Sequence, residues 1–429
     1  MTNANHARCQ TEPSRRHWLT QAVACGAGAA LASVSATAMA AGGEAGAVVD
    51  LSVKAFGAKG DGVADDTAAI QAALDAAAKA GGGHVHFPAG RYRVVRTLVL
   101  ASADRLDLTG AGASSVLLHE SDEPLLLWPE HVACRESSVR HLVFESVKQD
   151  KSPATAVFDF RGGAERTLFS HLFFKSNGAT IGSGVSVQKV MDTVTFDQCL
   201  IWGPMRGTGI RVCRGSAVLV FGGRIIGNDP YKGVIGSSIG IHLTTDNGGV
   251  HVVGTDIIGL GTGMKIGEVG QTSNREVFLT HTTFDSCVHG LVQVDHAYTS
   301  ITGCWSASCD EEQILLDHTA EGAILSIAGG TIFNGGAYGR PGGHNGLVVH
   351  QGTFTMAGVN VRHNKGHGIL IGPSVRDYAI NGCRITDNGT GAILDGSGYV
   401  FQGNVLARNG KSLVVNGAAN AQQLGNVNP

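Results

Sequence analysis

Short apolar strands alternate with polar or glycine-rich turns along most of the chain, from about Val139 to about Gly410. A unit of about 23 to 32 residues repeats: an alternating apolar strand, a glycine-rich bend, a second apolar strand, a polar turn, then glycine and a third strand. Repeats of this length are typical of solenoids. The clearest units start at Asp192, Gly249, Arg275, Thr353 and Arg376.

Three short strands in each unit predict an all-β fold in which parallel strands stack into a β-helix. Successive coils of such a fold lie about 4.8 Å apart. Asparagines recur just after the second strand, in "RHNKG", "TDNGT" and "ARNGK", at Asn364, Asn388 and Asn409. Stacked asparagines at a bend can hydrogen-bond the next coil, so we predict a structural ladder there.

One segment has a helical pattern, "AFGAKGDGVADDTAAIQAALDAAAKAGGG". Its helix is predicted to begin at Asp66 or Thr67 and to run to about Lys79, where three glycines end it. The first coil of a solenoid leaves strand edges and one end of the core exposed. We therefore expect this helix to act as a cap, with the carboxylates of Asp65 and Asp66 accepting backbone N–H groups rather than serving catalysis.

The first forty residues have the features of an export leader. Arg15-Arg16 precede a weakly hydrophobic run at 19–34, and small residues follow at a cleavage position after Ala40. This arrangement predicts a twin-arginine signal, removal of residues 1–40, and a periplasmic or secreted protein. The run is too short and too rich in glycine and alanine for a membrane anchor. A lipid-modified Cys25 stays open.

Composition agrees with a large core and many turns, because the chain has 62 glycines, 43% hydrophobic residues and only 16% charged residues. The net charge is −3 without a basic run, which argues against a nucleic-acid partner. No spacing of His or Cys suggests a metal, and we expect no cofactor. We interpret residues 41–138 as the cap and first coils, and 139–429 as coils with a C-terminal tail. Seven cysteines follow the leader, and we predict buried, inert thiols for Cys134, Cys199, Cys213, Cys287, Cys304, Cys309 and Cys383.

The segment from Ala55 to Val94, ending in "GGGHVHFPAGRYRV", closely resembles the opening of the pectate-lyase-like superfamily of right-handed parallel β-helices. That superfamily includes polygalacturonase-like hydrolases, phage tailspike depolymerases and mannuronan epimerases. The resemblance implies a single-stranded right-handed parallel β-helix with an N-terminal capping helix, and a polysaccharide as substrate. Likeness to tailspikes implies a homotrimer as one assembly. Fold alone does not fix the reaction.

The motifs of two of these groups are incomplete here. Polygalacturonases carry Asn-Thr-Asp, Asp-Asp, Gly-His-Gly and Arg-Ile-Lys on neighbouring coils. In this chain Asp65-Asp66 lies in the cap, Gly366-His367-Gly368 lies in a late coil, and the other two motifs are absent. Mannuronan epimerases use Asp-Pro-His, which Asp229-Pro230-Tyr231 matches only in its first two residues. Neither set of catalytic residues carries over.

Aligning the coils by their third strand places like positions side by side. The segments "GTGIRV", "SIGIHL", "GTGMKI" and "VHGLVQV" put Arg211, His242, Lys265 and Gln293 in one outward row. Three basic side chains in a row repel one another unless an anion lies across them. The row predicts a subsite for an acidic sugar, with a solvated polar face as the alternative.

Past the same strand, "VQVDH" and "ILLDH" align over a 22-residue step, which places Asp295 over Asp317 and His296 over His318. Carboxylates one coil apart lie roughly 5 Å from each other, near the separation in a retaining glycosidase. A catalytic pair and a ladder of turn-capping side chains both fit this pattern.

Two longer loops, "NDPYKGVIGSS" and "GGAYGRPGGHN", occur at the turn after the second strand and predict the walls of a binding site. Aromatic and arginine side chains suit sugar faces and carboxylates. The loops and the turns between them carry Asp229, Tyr231, Lys232, His289, Asp310, Glu311, Glu312, Tyr338, Arg340 and His344.

These patterns support an exported polysaccharide-active enzyme, either a polysaccharide lyase or epimerase, or a glycoside hydrolase. A lyase or epimerase neutralises a uronate with Arg211, His242 or Lys265 and abstracts a proton with a histidine or Tyr231. A non-catalytic periplasmic β-helix that binds or guides an exopolysaccharide is the alternative, and an adhesive solenoid is a third. A hydrolase draws its carboxylate pair from Asp285, Asp295, Asp310, Glu311 and Asp317.

Overall fold

The computed structural model describes residues 49–228, 234–416 and 420–428. By its contacts the chain divides into Met1–Ala45 and Gly46–Pro429. The twin-arginine pair and Cys25 lie outside the described residues, so the leader stays a prediction. The described residues belong to the second unit.

Most coils contribute one strand to each of three parallel sheets, although the first coil has none in the third sheet and the next two coils have two each. Within a strand, residues alternate between the core and the surface. In the strand Ala217–Phe221, for example, Val218 and Val220 are buried while Leu219 faces outward. All strand pairs are parallel, and each strand pairs with its equivalents in the neighbouring coils. This arrangement is the predicted parallel β-helix.

The first sheet has 15 strands. They are Val49–Ser52, Gly83–Phe87, Leu106–Gly110, Ser138–Arg140, Thr167–Ser170, Thr193–Asp197, Ala217–Phe221, Val250–Val253, Glu276–Thr280, Tyr298–Thr302, Ile324–Ala328, Thr353–Ala357, Arg376–Asn381, Ser397–Gln402 and Gln422–Leu424.

The second sheet has 14 strands. They are Asp61–Asp65, Gly90–Val94, Ser115–His119, Val143–Ser146, Phe173–Ser176, Leu200–Trp202, Arg224–Ile226, Asp256–Ile258, Thr283–Asp285, Trp305–Ala307, Thr331–Phe333, Asn360–Arg362, Arg384–Thr386 and Val405–Ala407.

The third sheet has 15 strands. They are Leu98–Val99, Ala103–Asp104, Leu126–Trp128, Cys134–Arg135, Ala156–Glu165, Ser183–Val190, Thr208–Val212, Ile239–Leu243, Thr262–Ile266, His289–Gln293, Glu312–Leu316, Asn345–Val349, His367–Ile371, Thr390–Leu394 and Lys411–Val415.

We number the turns by the sheet that they leave: the first turn joins the first sheet to the second, the second turn joins the second to the third, and the third turn leads to the next coil. The sheets run across the predicted boundary at residue 138 without a break, since Ser138–Arg140 pairs with strands on both sides. The two elongated loops, 227–238 and 334–344, both lie at the second turn, as predicted.

One apolar core runs through the coils from Val53 to Leu406. Equivalent positions of successive coils are neighbours, so like side chains stack: the rings of Phe169 and Phe196 lie 5.0 Å apart at 14°. Six of the seven cysteines are buried in or beside this core, and Cys213 is half-buried. Within the described ranges, no helix combines the length and apolar character that crossing a membrane demands.

The α-helix Thr67–Lys79 covers the first coil, and Ile70 and Leu74 on its buried face join the core. The 3-10 segments are Val53–Phe56 and Gly112–Ser114. The predicted capping helix is therefore confirmed, with Asp66 as its N-terminal flanking residue.

Both carboxylates ahead of the helix accept backbone N–H groups, as expected, although not in the expected places. Asp65 accepts from the backbone N of Thr67 at 3.0 Å, so it caps the helix. Asp66 instead accepts from the backbone N of Lys59 at 2.6 Å and of Gly60 at 3.1 Å. Asp66 thereby fixes the preceding glycine-rich loop.

The predicted asparagine ladder is present at the second turn. The side-chain oxygen of Asn388 accepts from the backbone N of Asn364 at 3.1 Å and from its amide Nδ2 at 3.0 Å. The side-chain oxygen of Asn409 accepts the same two bonds from Asn388, from its backbone N at 2.9 Å and from its Nδ2 at 3.1 Å. The ladder satisfies buried polar groups that would otherwise cost folding free energy.

Candidate functional site

The outward face of the third sheet carries the predicted basic row. Arg211 pairs with His242, and His242 pairs with Lys265, in three successive coils. The next member is Val292 rather than Gln293, so the assignment of Gln293 to this row was wrong. A shift of one residue moves a strand side chain to the opposite face. Gln293 accordingly lies fully buried.

Only two members of the row are cations near neutral pH. His242 is 5% exposed, and its Nε2 lies 3.2 Å from Glu268. Burial, together with the charge of Lys265, lowers the pKa of His242 to about 4. At neutral pH this burial argues against a third positive charge from His242. Lys265 Nζ also lies 3.5 Å from a Glu268 oxygen, so Arg211 is the less neutralised of the two cations.

A cleft of about 450 Å³ opens beside Arg211 on this sheet. Its floor includes Ser186 and Asp159, which lie in register with Arg211 in the two preceding coils. Its wall includes Gly207 and Ser237 from the second turn. The third sheet thus forms the floor of a groove, and the second turns form one wall.

Three coils further along the solenoid, ionisable side chains at the start of two third-sheet strands lie next to the second turns and the loop 334–344. His289 Nδ1 lies 2.9 Å from Glu312 in the next coil. Arg340 Nε donates to Asp310 at 2.7 Å, and Asp310 is 4% exposed. The backbone N of Gly343 donates to Glu311 at 2.7 Å. Sequence analysis predicted that this loop and these turns share an edge, and the contacts confirm it.

The aromatic residue of the loop is held in the same cluster. The Tyr338 hydroxyl lies 2.7 Å from the hydroxyl of Ser286, and Ser286 also donates to Asp285 at 2.7 Å. The Arg340 guanidinium lies 4.8 Å from the centre of the Tyr338 ring. We call His289, Asp310, Glu312, Tyr338 and Arg340 the second-turn cluster.

The partner loop is described only in part. Asp229, Tyr231 and Lys232, which sequence analysis assigned to the opposite wall, lie outside the described residues. Their roles stay predictions. Across the described part of the chain, no three His, Cys, Asp or Glu side chains converge as a metal site does.

The predicted carboxylate pair does not form. The register places Gln293 beside Leu316, so the strands are offset by one residue from the alignment that put Asp295 over Asp317. Asp295 is 5% exposed and ends a buried ladder at the third turn. Its Oδ2 accepts from the backbone N of Asn274 at 2.7 Å and from Nδ2 at 2.8 Å. Asn274 accepts from Asn247 in the same manner.

Asp317 is likewise engaged in a turn, where its Oδ1 accepts from the backbone N of Thr319 at 3.1 Å and from its hydroxyl at 3.0 Å. The predicted stack of His296 on His318 is also wrong. The ring of His318 instead stacks on His350 at 3.7 Å and 11°, while His296 Nδ1 lies 2.9 Å from Ser273. The turn-ladder alternative is the one that these contacts support.

Sequence reasoning missed the two groups that define the charge of the groove and the position of the loop. Glu268 lies just past a strand, in a third turn whose length varies between coils, so the alignment gave no reason to place it near His242. Ser286 lies in the second turn directly before Cys287, and only the folded loop brings Tyr338 to it. The sequence did offer one signal for this contact, because Glu268 follows Lys265 by only three positions.

Residues 51–123 match the family model described as Rhamnogalacturonase A/epimerase, pectate lyase-like. Among curated proteins, mannuronan C5-epimerase AlgE5 of Azotobacter vinelandii is 72% identical over 46 residues, which is 11% of this chain and 5% of that protein. Plasmin and fibronectin-binding protein A of Streptococcus pneumoniae is 29% identical over 180 residues, 41% of this chain and 24% of that protein. The chain therefore matches only a small part of the length of these relatives.

A solved structure extends the likeness of fold to most of the molecule. The Dettilon tailspike protein superposes with a TM-score of 0.56 at 16% identity, over 85% of this chain and 68% of that one. At this identity the likeness concerns the fold alone. Together with the family match, it confirms the resemblance stated from the cap sequence.

Proposed function

We infer that this protein is an exported enzyme that cleaves or modifies an acidic polysaccharide. Its parallel β-helix fold and its match to the pectate-lyase-like family model over residues 51–123 support this inference. The groove along the third sheet is the proposed binding site. The observation that carries this proposal is that two cations and a histidine–carboxylate pair lie on successive strands of the third sheet. Arg211 and Lys265 offer positive charge on the third sheet, and the next two strands of that sheet begin with His289 and Glu312, which are paired.

His289 is the proposed general base. Its Nδ1 is held by Glu312 at 2.9 Å, and the side chain remains 32% exposed. A carboxylate on one ring nitrogen fixes the tautomer that leaves the other nitrogen able to accept a proton. A lyase or an epimerase needs such a base next to a group that neutralises the uronate carboxylate.

Two further groups fit the same reaction. Tyr338 lies in the cluster with its hydroxyl on Ser286, where it can pass a proton. Arg340 lies beside it and is suited to a sugar carboxylate. A hydrolase instead needs two carboxyl groups of contrasting pKa. Here Asp310 is paired with Arg340, and Glu312 is paired with His289. These contacts favour a lyase or an epimerase over a hydrolase.

The test is incubation of the exported protein with mannuronan, polygalacturonate and neutral dextran. A lyase gives products that absorb as unsaturated uronates, an epimerase changes the proton spectrum of the polymer at constant length, and a hydrolase gives new reducing ends without the absorbance. We expect His289→Ala to lower turnover of an acidic polymer by about 10²- to 10⁴-fold. The matched control is His296→Ala, an exposed histidine of the third turn. Equal turnover by His289→Ala and His296→Ala contradicts the assignment of the base.

The alternative is a β-helix that binds or guides an exopolysaccharide without changing it. The ion pairs of Asp310 with Arg340 and of Glu312 with His289 support it, since each occupies a carboxylate that a hydrolase would use. The match to a streptococcal protein named for binding plasmin and fibronectin supports a non-catalytic role as well. This alternative predicts saturable binding of an acidic polymer whose length and sugar composition stay constant.

A further inference from the structure

A second surface outside the groove has aromatic and cationic side chains in contact. On the outward face of the second sheet, the rings of Trp305 and Phe333 lie 5.5 Å apart in adjacent coils. Trp305 is 39% exposed although it is a large apolar side chain. Aromatic rings that contact each other at the surface form an apolar patch, and such patches are typical of binding sites.

The next two coils add positive charge to this surface. The guanidinium of Arg362 lies 5.1 Å from the centre of the Phe333 ring, and Arg362 is in register with Phe333. Arg384 follows one coil later, in register with Asn360. Both arginines are exposed, and among the described residues neither forms an ion pair with a carboxylate. We call Trp305, Phe333, Arg362 and Arg384 the aromatic–arginine platform.

Other arginines on or beside the same sheet are neutralised by carboxylates. Arg224 donates to Asp256 at 3.1 Å, and Arg408 donates to Asp387 at 2.6 and 2.7 Å. The unpaired charge of the platform is therefore a local property. Exposed arginine stacked on an aromatic ring keeps its donors available for a planar anion.

We propose that this platform binds an anionic saccharide chain. The rings of Trp305 and Phe333 take the apolar face of a sugar, and the forked donors of Arg362 and Arg384 take carboxylates further along the chain. Its four side chains span three coil steps, which is about 14 Å along the solenoid. The ligand is thus an oligosaccharide of several acidic units rather than a single sugar.

The platform is a separate site from the groove, because the groove floor belongs to the third sheet. Phe333 is the last residue of its strand, and the loop 334–344 of the second-turn cluster starts directly after it. The platform and the groove therefore lie on opposite sides of one loop. A polymer held on the platform has an increased local concentration at the groove, whatever reaction the groove performs.

The chain provides a matched control on the same sheet. Trp202 is 56% exposed, its ring lies 6.5 Å from that of Phe173, and Lys175 lies 6.0 Å from the Phe173 ring. There, however, the cation is neutralised, since Lys175 Nζ lies 2.9 Å from Glu145. This second aromatic pair matches the platform in exposure but not in free charge.

The experiment measures binding of a fluorescent mannuronate oligosaccharide to the whole protein by titration at low salt. We expect Trp305→Ala and Arg362→Gln each to weaken binding by about tenfold, the loss of one contact to a charged or stacked group. Trp202→Ala is expected to bind as the wild type does. Each variant needs an unchanged melting temperature, which exposed positions allow.

Three outcomes overturn the proposal. The first is wild-type affinity in both Trp305→Ala and Arg362→Gln. The second is an equal loss in Trp202→Ala. The third is equally tight binding of poly-glutamate, which identifies the platform as a general anion surface or a site for acidic peptides. Arg211→Ala separates this proposal from the groove: that variant is expected to lose turnover and the binding that belongs to the groove, so the platform variants are also titrated in the Arg211→Ala background, where the remaining binding belongs to the platform.

Discussion

At the scale of single residues, the charge of the groove depends on neighbours that strand patterns do not reveal. Lys265 and His242 occupy the outward row that the sequence predicts, yet Glu268 lies within 3.5 Å of both. A basic residue predicted from its strand position is therefore not always a cation in the fold.

His242 leads to a prediction about pH. Burial, with the nearby charges of Lys265 and Arg211, holds its pKa near 4 against an ordinary value of 6.5, although Glu268 opposes the shift. The unfolded chain thus binds a proton at a higher pH than the folded protein does. The contribution of the neutral imidazole to the free energy of unfolding is fully present above about pH 6.5. It is lost as the pH falls toward 4.

We expect His242→Gln to reduce the slope of melting temperature against pH between 6.5 and 4, and to leave binding of acidic oligosaccharides at pH 7 unchanged. Arg211→Ala serves as the contrast, with weaker binding at pH 7 and a smaller dependence on salt. An unchanged slope in His242→Gln, or a loss of binding at pH 7 equal to that of Arg211→Ala, contradicts this account.

At the scale of strands and turns, the repeat pattern predicted the sheets well because the inward positions of every coil must be apolar. The pattern predicted Arg211 beside His242, but Gln293 was misplaced by one residue within its own strand, where His289 pairs with Thr262 and Val292 with Lys265. The placement of Asp295 over Asp317 failed for a different reason. The third turns differ in length from coil to coil, and no hydrophobic pattern constrains them. Since the side-chain period of a strand is two, an error of one residue there reverses the face of a side chain.

Asp295 tests this interpretation. It accepts from the backbone and side chain of Asn274 and, at 3.2 Å, from the backbone N of Ala297. Asp295→Asn keeps an oxygen for the Asn274 donors but turns its NH2 group toward the backbone N–H of Ala297, so we expect a loss of stability of about 1 kcal/mol. Asp295→Ala leaves buried donors unpaired and is expected to cost about 2 to 4 kcal/mol in chemical denaturation.

Neither Asp295 variant is expected to alter turnover or glycan affinity at a temperature where it is folded. Asp317→Asn is the control, because its turn is more exposed and its loss is expected to be smaller. Abolished turnover in Asp295→Asn with a wild-type denaturation midpoint restores the catalytic assignment that the register argues against.

At the scale of the whole molecule, each coil contacts only its neighbours, so the ends of the solenoid decide whether its strand edges are open to end-to-end aggregation. The helix Thr67–Lys79 closes one end by burying Ile70 and Leu74 against the first coil. The cap sequence predicted this feature because a helix beside a long series of strands has few other roles.

We expect removal of residues 55–83 to expose strand edges and to cause aggregation, seen in light scattering and gel filtration. Leu74→Asp is a milder variant that places a charge against the core and is expected to act in the same direction. Lys79→Ala, at an exposed helix position, is the control. A soluble deletion variant with wild-type β-type circular dichroism shows that the helix is not the cap.

The asparagine ladder at the second turn has a consequence for chemical ageing. Asn388 and Asn409 each precede a glycine, the sequence in which an asparagine side chain is most readily attacked by the following backbone nitrogen and loses its amide. In this fold those nitrogens are engaged, since Gly389 N donates to Asn364 O and Gly410 N to Asn388 O, both at 2.9 Å. Deamidation therefore has to wait for local opening. Of the two ladder positions, Asn409, which is half-buried near the far end of the solenoid while Asn388 is buried, is the one that we expect to deamidate first in a stored sample.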